Sequence, residues 1–239
     1  MKFFINKLIF VIILSSISKI SLSHEFWIDP VKYHLKNNEI INAAVFIGDN
    51  FEGSQIGFSK KYFKNLNLFT KEKKKKIKGR MGDFPALNIK ETFTGLNIIQ
   101  VESKMNYINY NGLLKFEVFS RKKGYRNLVD IHKENNYPDN FVESYKRYAK
   151  SMVSVDNFDG NDVDTNMELE LIFLDNPLKN LNESKRVLLE YQNKILADHQ
   201  VLIMSVKGDN FKKEFLKTNN EGYVKFFFKK DTAFDNLIF

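Results

Sequence analysis

The 239-residue chain contains no cysteine. That absence removes disulfide scaffolds, thiolate zinc sites, cysteine nucleophiles and iron–sulfur clusters together, so any chemistry rests on histidine, carboxylates, hydroxyls or amines. No apolar run approaches the roughly eighteen residues of a membrane-spanning helix. There is no Gly-x-Ser-x-Gly, no His-Glu-x-x-His and no phosphate-cradling glycine loop, which leaves hydrolase readings without support and the chain reading as non-enzymatic. Histidine is sparse at four residues, and the one tryptophan is Trp27.

What is present excludes disorder. Hydrophobic residues make up 43% of the chain, with 23 Phe and 10 Tyr, enough for one large or two small compact domains. The formal charge is +8, but residues 1–23 carry Lys2, Lys7 and Lys19 and no acid, leaving 34 Lys and Arg against 29 Asp and Glu, a net +5. Only Lys71–Lys78 concentrates that excess. The run interleaves a single Ile77 and no aromatic platform, so it reads as a solvated hairpin tip with no nucleic-acid partner.

Residues 1–23 have the three zones of a secretory signal peptide: basic Lys2 and Lys7, an apolar core from Leu8 to Leu14, and a polar stretch closing on Ser21-Leu22-Ser23. Small residues at Ser21 and Ser23 place the cut between Ser23 and His24. The expected product is a soluble protein of the periplasm or exterior, beginning His24-Glu25-Phe26-Trp27. An amino-terminal histidine is chemically distinctive, because its α-amine and ring Nδ1 close a chelate on one metal ion. With ordinary pKa values of about 7.7–8.0 and about 6.5, both donors are available near neutral pH. Nitrogen donors of this kind suit copper, nickel or zinc. Phe26 occupies the third position, where the common square-planar motif needs histidine. A further ligand would come from Glu25, Asp29, His34, His132 or His199, and spacing does not choose among them.

From Glu25 to about Met105, alternating and short apolar runs predict strands at Phe26–Asp29, Ile40–Ile47, Phe63–Thr70, Ala86–Lys90 and Leu96–Ser103, an antiparallel sandwich. Gly112–Lys150 switches to spacings of three and four and predicts two or three helices, the last beginning at Pro138-Asp139, before a strand at Ser151–Val155. Residues 24–155 thus form a first domain with a helical insertion at 112–150. Residues 156–166 read as an interdomain linker. Their four aspartates do not make a calcium loop, since Val155 and Asn166 stand where Asp and Glu are required around Gly160. Residues 167–239 form a smaller immunoglobulin-like β domain, with strands at Met167–Leu174, Arg186–Tyr191, Gln200–Val206, Phe211–Leu216 and Tyr223–Phe228, which reads as cut short at Phe239. The fold class is mainly β.

Single residues carry ordinary readings as well. His34, between Tyr33 and Leu35, falls on a lysine-rich exposed face. His132 reads as a partly exposed helix residue and His199 as a polar strand entry. Glu168 and Glu170 alternate with Leu169 and Leu171, as a half-exposed strand requires.

The opening His24-Glu25-Phe26-Trp27-Ile28-Asp29-Pro30, together with Val101-Glu102-Ser103, Tyr145–Val153, Leu169–Pro177 and the Asn219–Gly222 turn, resembles a bacterial periplasmic family of unknown function labelled nickel-uptake or nickel-transport protein. The resemblance covers most of residues 24–236. It implies a two-part β protein without known catalysis, associated with uptake of nickel or cobalt, partnered by a metal-uptake permease or outer-membrane receptor, and it singles out His24. The alternative from the residues is a structural or adhesion-like β-sandwich that binds a protein or glycan through its aromatic surface and holds no metal.

Overall fold

The computed structural model describes residues 24–207, 210–227 and 237–238. The protein is mainly β, with open sheets arranged as sandwiches and, among the described residues, two short helices. It divides into a larger unit, residues 25–106 and 144–239, and a small one that contains residues 107–143.

The larger unit begins with two sheets. In the first, β1 (Glu25–Pro30) pairs with β3 (Ile41–Asp49), which also pairs with β4 (Glu52–Ile56) and β7 (Leu87–Ile89). The second has the order β2 (His34–Leu35), β11 (Tyr148–Val155), β8 (Gly95–Ser103), β5 (Phe63–Phe69), β6 (Lys74–Lys76). Side chains alternate across a strand, and β1 uses both faces. Ile28, opposite Val45, enters the core with Ile41, Leu68, Leu87, Ile99, Val101 and Val153, while Trp27 stacks on Phe46 on the other side. All nine residues of β8 are buried, because β8 is covered on both faces. Ile99 and Val101 face the core; Leu96 and Ile98 meet Met152, Val163 and Phe173.

The lysine run is not a bare hairpin tip. Lys74–Lys76 is the edge strand β6, Lys75 pairs with Glu91, and Ile77 is buried. Lysines on an edge strand hinder pairing with a second chain, so the charge has a structural use.

The remaining strands form β12 (Leu169–Phe173), β13 (Ser184–Tyr191), β14 (Lys194–Ile195) and β17 (Tyr223–Phe227) in one sheet, and β15 (Gln200–Lys207), β16 (Asn210–Lys217) and β18 (Leu237–Ile238) in another. Val187, Val201, Ile203, Val224 and Phe226 are their shared core. Gln192 and Asn193, both at positive φ, make the two-residue turn between β13 and β14. At the Asn219–Gly222 turn the Asn219 side chain accepts from the Glu221 and Tyr223 amides. Gly222 sits at φ +77°, where a Cβ would come within 1.9 Å of Ile195 Cγ2, so only glycine fits.

The small unit holds α1 (Leu113–Lys122) and α2 (Leu128–Glu134), flanked by β9 (Asn106–Asn111) and β10 (Asn140–Tyr145), which pair with each other. The helix expected from Pro138-Asp139 is therefore a strand. Its exposure alternates residue by residue: Val142 points outward, while Phe141 stacks on Tyr110 at 4.7 Å. Cross-strand pairing with β9 outweighs the helical spacing of its apolar residues.

Candidate functional site

The proposed maturation point at Ser23 and the signal segment 1–23 lie outside the described residues. His24 is half-buried and immediately precedes β1. Glu25 Oε2 accepts the Asn50 amide at 2.7 Å. His34 lies on β2, exposed as expected, with its ring stacked on Phe158 at 4.7 Å and Nδ1 2.8 Å from the Ser154 hydroxyl. His132 is a correction: it is not partly exposed but 8% exposed, packed by Phe116, Tyr137 and Phe141, with Nε2 2.9 Å from the Pro138 carbonyl. The helix turns its ring inward to complete an aromatic cluster, which leaves it a packing role. His199 stays exposed, its Nδ1 2.7 Å from the Ala197 carbonyl. Among the described residues no three or more His, Asp or Glu side chains gather where they could hold a metal ion. A side-chain cage is not what these residues offer.

The charged cluster of the fold lies elsewhere, where spacing gave no signal. β12 is covered on both faces: Leu171 and Phe173 pack on the core shared by the two sheets, while Glu170, only 3% exposed, is buried on the opposite face and Leu169, at the strand's start, is 43% exposed. Glu170 turns inward because Lys150, on β11, reaches it at 2.7 Å and reaches Asp162 at 2.8 Å. Thr165 donates its amide and hydroxyl to Glu170, and Met167 its amide, at 2.9–3.1 Å. Asp162 accepts the Val163 amide at 2.8 Å and the Phe173 amide at 2.9 Å. Burial pushes the Asp162 carboxyl up, opposed by the Lys150 charge. Segment 156–166 has no regular structure, yet this triad, the Leu96 amide on the Asp159 carbonyl and the Asn176 side chain on the Phe158 and Gly160 carbonyls fasten it down.

Beside the triad, a cleft of about 390 Å³ opens where β1 and β11 meet β12, β13 and β15. Phe26, Trp27, Tyr148, Leu171, Val201 and Leu202 give it mostly apolar walls. A second, polar cleft of about 330 Å³ adjoins Lys146, with Lys64, Glu102, Glu168 and Gln192 around it. Glu168 accepts from Lys146 Nζ at 2.7 Å, the Tyr148 hydroxyl at 2.9 Å and the Gln192 side chain at 3.2 Å. Those donors, Lys146 foremost, hold its carboxyl at about 2, below its ordinary 4.5. Burial and Glu168 push the Tyr148 hydroxyl up to about 12. The cationic side chains bordering both clefts are thus already neutralised within the fold.

The depressed Glu168 carboxyl sets a sign for acid unfolding. Its ionised form is preferred in the folded state, so its contribution is complete above 4.5 and is lost as pH falls from 4.5 towards 2. Glu168→Gln should be less stable than the parent at pH 7, and the two urea midpoints should converge below pH 3. A constant gap across that range would show that the Lys146–Glu168–Tyr148 contacts do not carry the effect.

The family model of a domain of unknown function, DUF4198, matches residues 21–233 of the chain. No curated protein matches it.

Proposed function

We propose that this chain, which belongs to the DUF4198 family, is an exported, non-enzymatic protein that binds a transition metal, nickel, cobalt or copper, for uptake, with the α-amine and imidazole of His24 as its leading ligands. The observation that carries the reading is the anchorage of the strand that starts at the next residue. Trp27 and Ile28, side chains on opposite faces of β1, are both 5% exposed, so the chain leaving His24 is fixed from both sides. An anchored chelate loses less freedom on binding than a loose one. The lack of a three-side-chain cluster among the described residues is consistent with this donor set, because the main-chain amine replaces a side chain. A permease or outer-membrane receptor for the metal is the matching partner.

The test is isothermal titration of the mature chain with nickel, cobalt and copper. A second preparation carries one extra alanine ahead of His24, which buries the amine in a peptide bond and leaves the fold alone. The mature chain should bind one equivalent. The extension should weaken binding by more than the roughly tenfold that losing a ligand's supporting partner costs. Equal, weak binding by both preparations would end the metal reading and favour a β-sandwich that engages a protein or glycan.

A further inference from the structure

We propose that Lys150 and Asp162 become joined by an isopeptide bond, formed within the folded chain without an enzyme, with Glu170 carrying the proton. An ammonium and a carboxylate do not condense in water, where both ions are solvated and neither is a nucleophile–electrophile pair. The interior around Lys150 excludes bulk water and fixes the approach, with Nζ also donating to the Val163 and Leu171 carbonyls at 3.0 and 3.3 Å. The three side chains are 8%, 0% and 1% exposed, and Nζ stands 2.8 Å from Asp162 Oδ1 and 2.7 Å from Glu170 Oε1. Such fixed approach replaces an encounter in solution.

The two carboxyls differ in their surroundings, and that difference assigns their roles. Glu170 Oε1 stands 2.7 Å from Nζ, and the Thr165 amide and hydroxyl and the Met167 amide fix its carboxyl there, which places it to carry a proton. The Asp162 side chain is fully enclosed, and burial raises its carboxyl towards the neutral acid that can be attacked. The Phe173 amide points at Oδ2, where charge grows as the carbon becomes tetrahedral, and the Val163 amide holds Oδ1 in place.

The step balances as follows. Lys150 Nζ passes one proton to Asp162 Oδ1, giving a neutral amine and a neutral acid. The Nζ lone pair attacks Cγ, and the carbonyl electron pair moves onto Oδ2, held by the Phe173 amide. Glu170 takes a second proton from Nζ and delivers it to the Oδ1 hydroxyl. The Cγ–Oδ1 bond breaks, water leaves, and Glu170 is restored. Nζ keeps its third hydrogen as an amide. No oxidant or cofactor takes part. In an exported chain without cysteine, the bond would clamp segment 156–166 to β11 as a disulfide would, chiefly by restricting the unfolded chain.

Mass spectrometry of the purified full chain reads the result directly. The parent should be lighter than its sequence by one water. Trypsin should fail to cut after Lys150, so that Tyr148–Lys179 appears as a single peptide with the same deficit. Glu170→Gln should restore the full mass and the cut at Lys150 while circular dichroism stays native. Asp162→Asn, if it reacts, should lose ammonia in place of water. A folded parent of full mass, cut normally after Lys150, overturns the proposal and leaves a non-covalent ion triad. A one-water deficit with Lys150 still cleavable also overturns it, since that pattern marks cyclisation of an aspartate elsewhere.

Discussion

Lys150→Met is expected to destabilise the protein by about 3–5 kcal/mol at pH 7, the loss typical when one partner is removed from a buried ion cluster. Methionine fills most of the volume of the lysine stem, so the effect is electrostatic rather than a cavity. It strands Asp162 and Glu170, both essentially buried, with one cation fewer between them. Two enclosed carboxylates without their lysine disfavour ionisation, which continues in the direction that burial already drives Asp162. The sign then follows. A carboxyl raised in the folded state adds stability below its unfolded value and loses it as pH rises through the folded one. The deficit of Lys150→Met against the parent should therefore be largest at neutral pH and shrink towards pH 4. Adding Asp162→Asn and Glu170→Gln should recover part of it, because no unpaired charge remains. Urea unfolding of the three proteins at pH 4 and pH 7 measures all of this. A neutral-pH midpoint unchanged by Lys150→Met would remove the triad from any account of stability, and a broken isopeptide bond would enlarge the loss.

The triad also shows where pattern reading of the sequence stops. Alternation correctly places Glu170 and Leu171 on opposite faces of β12, whereas Glu168 lies just ahead of the strand. Alternation is silent on whether the Glu170 face is buried, which rests on Lys150, far back in the chain on β11. Hydrophobicity seats Leu171 on the core, and the ion partner buries Glu170 on the opposite face as well. The longer strands of both sandwiches were legible where their apolar residues repeat every second position, as at Ile41, Ala43 and Val45 in β3, while β2, β4 and β14 were not. Edge strand β6 was not, because a row of lysines carries no apolar period. Phe141 and Tyr145 have helical spacing, but they lie on a strand whose partner β9 precedes both helices. His132 looked partly exposed beside Lys133 and Glu134, whereas the rings that enclose it come from α1, β10 and the loop after α2. What eluded the sequence was in each case a partner that the period of apolar residues does not encode.

Trp27→Ala should cost about 3–5 kcal/mol, the usual range for removing a large buried aromatic. Trp27 stacks on Phe46 at 5.2 Å, meets the edge of Phe51 at 6.2 Å and packs against Met204, itself 1% exposed, on β15. The truncation therefore empties a space bounded by β3 on one side and β15 on another, and rigid strands on both sides leave little scope for collapse. Because the residue is the chain's one tryptophan, the loss must be followed by circular dichroism in urea. Trp27→Phe, which keeps a ring over Phe46, should lose distinctly less. The same pair of variants bears on metal binding. If the anchorage of β1 positions His24, Trp27→Ala should weaken nickel binding without changing its one-to-one stoichiometry, since both donors belong to His24 itself and survive the change. Trp27→Phe should bind almost as the parent does. A Trp27→Ala protein that is destabilised yet binds nickel with undiminished affinity would mean that the terminal chelate forms independently of the strand behind it, and the argument from anchorage would fail while the chelate itself stood.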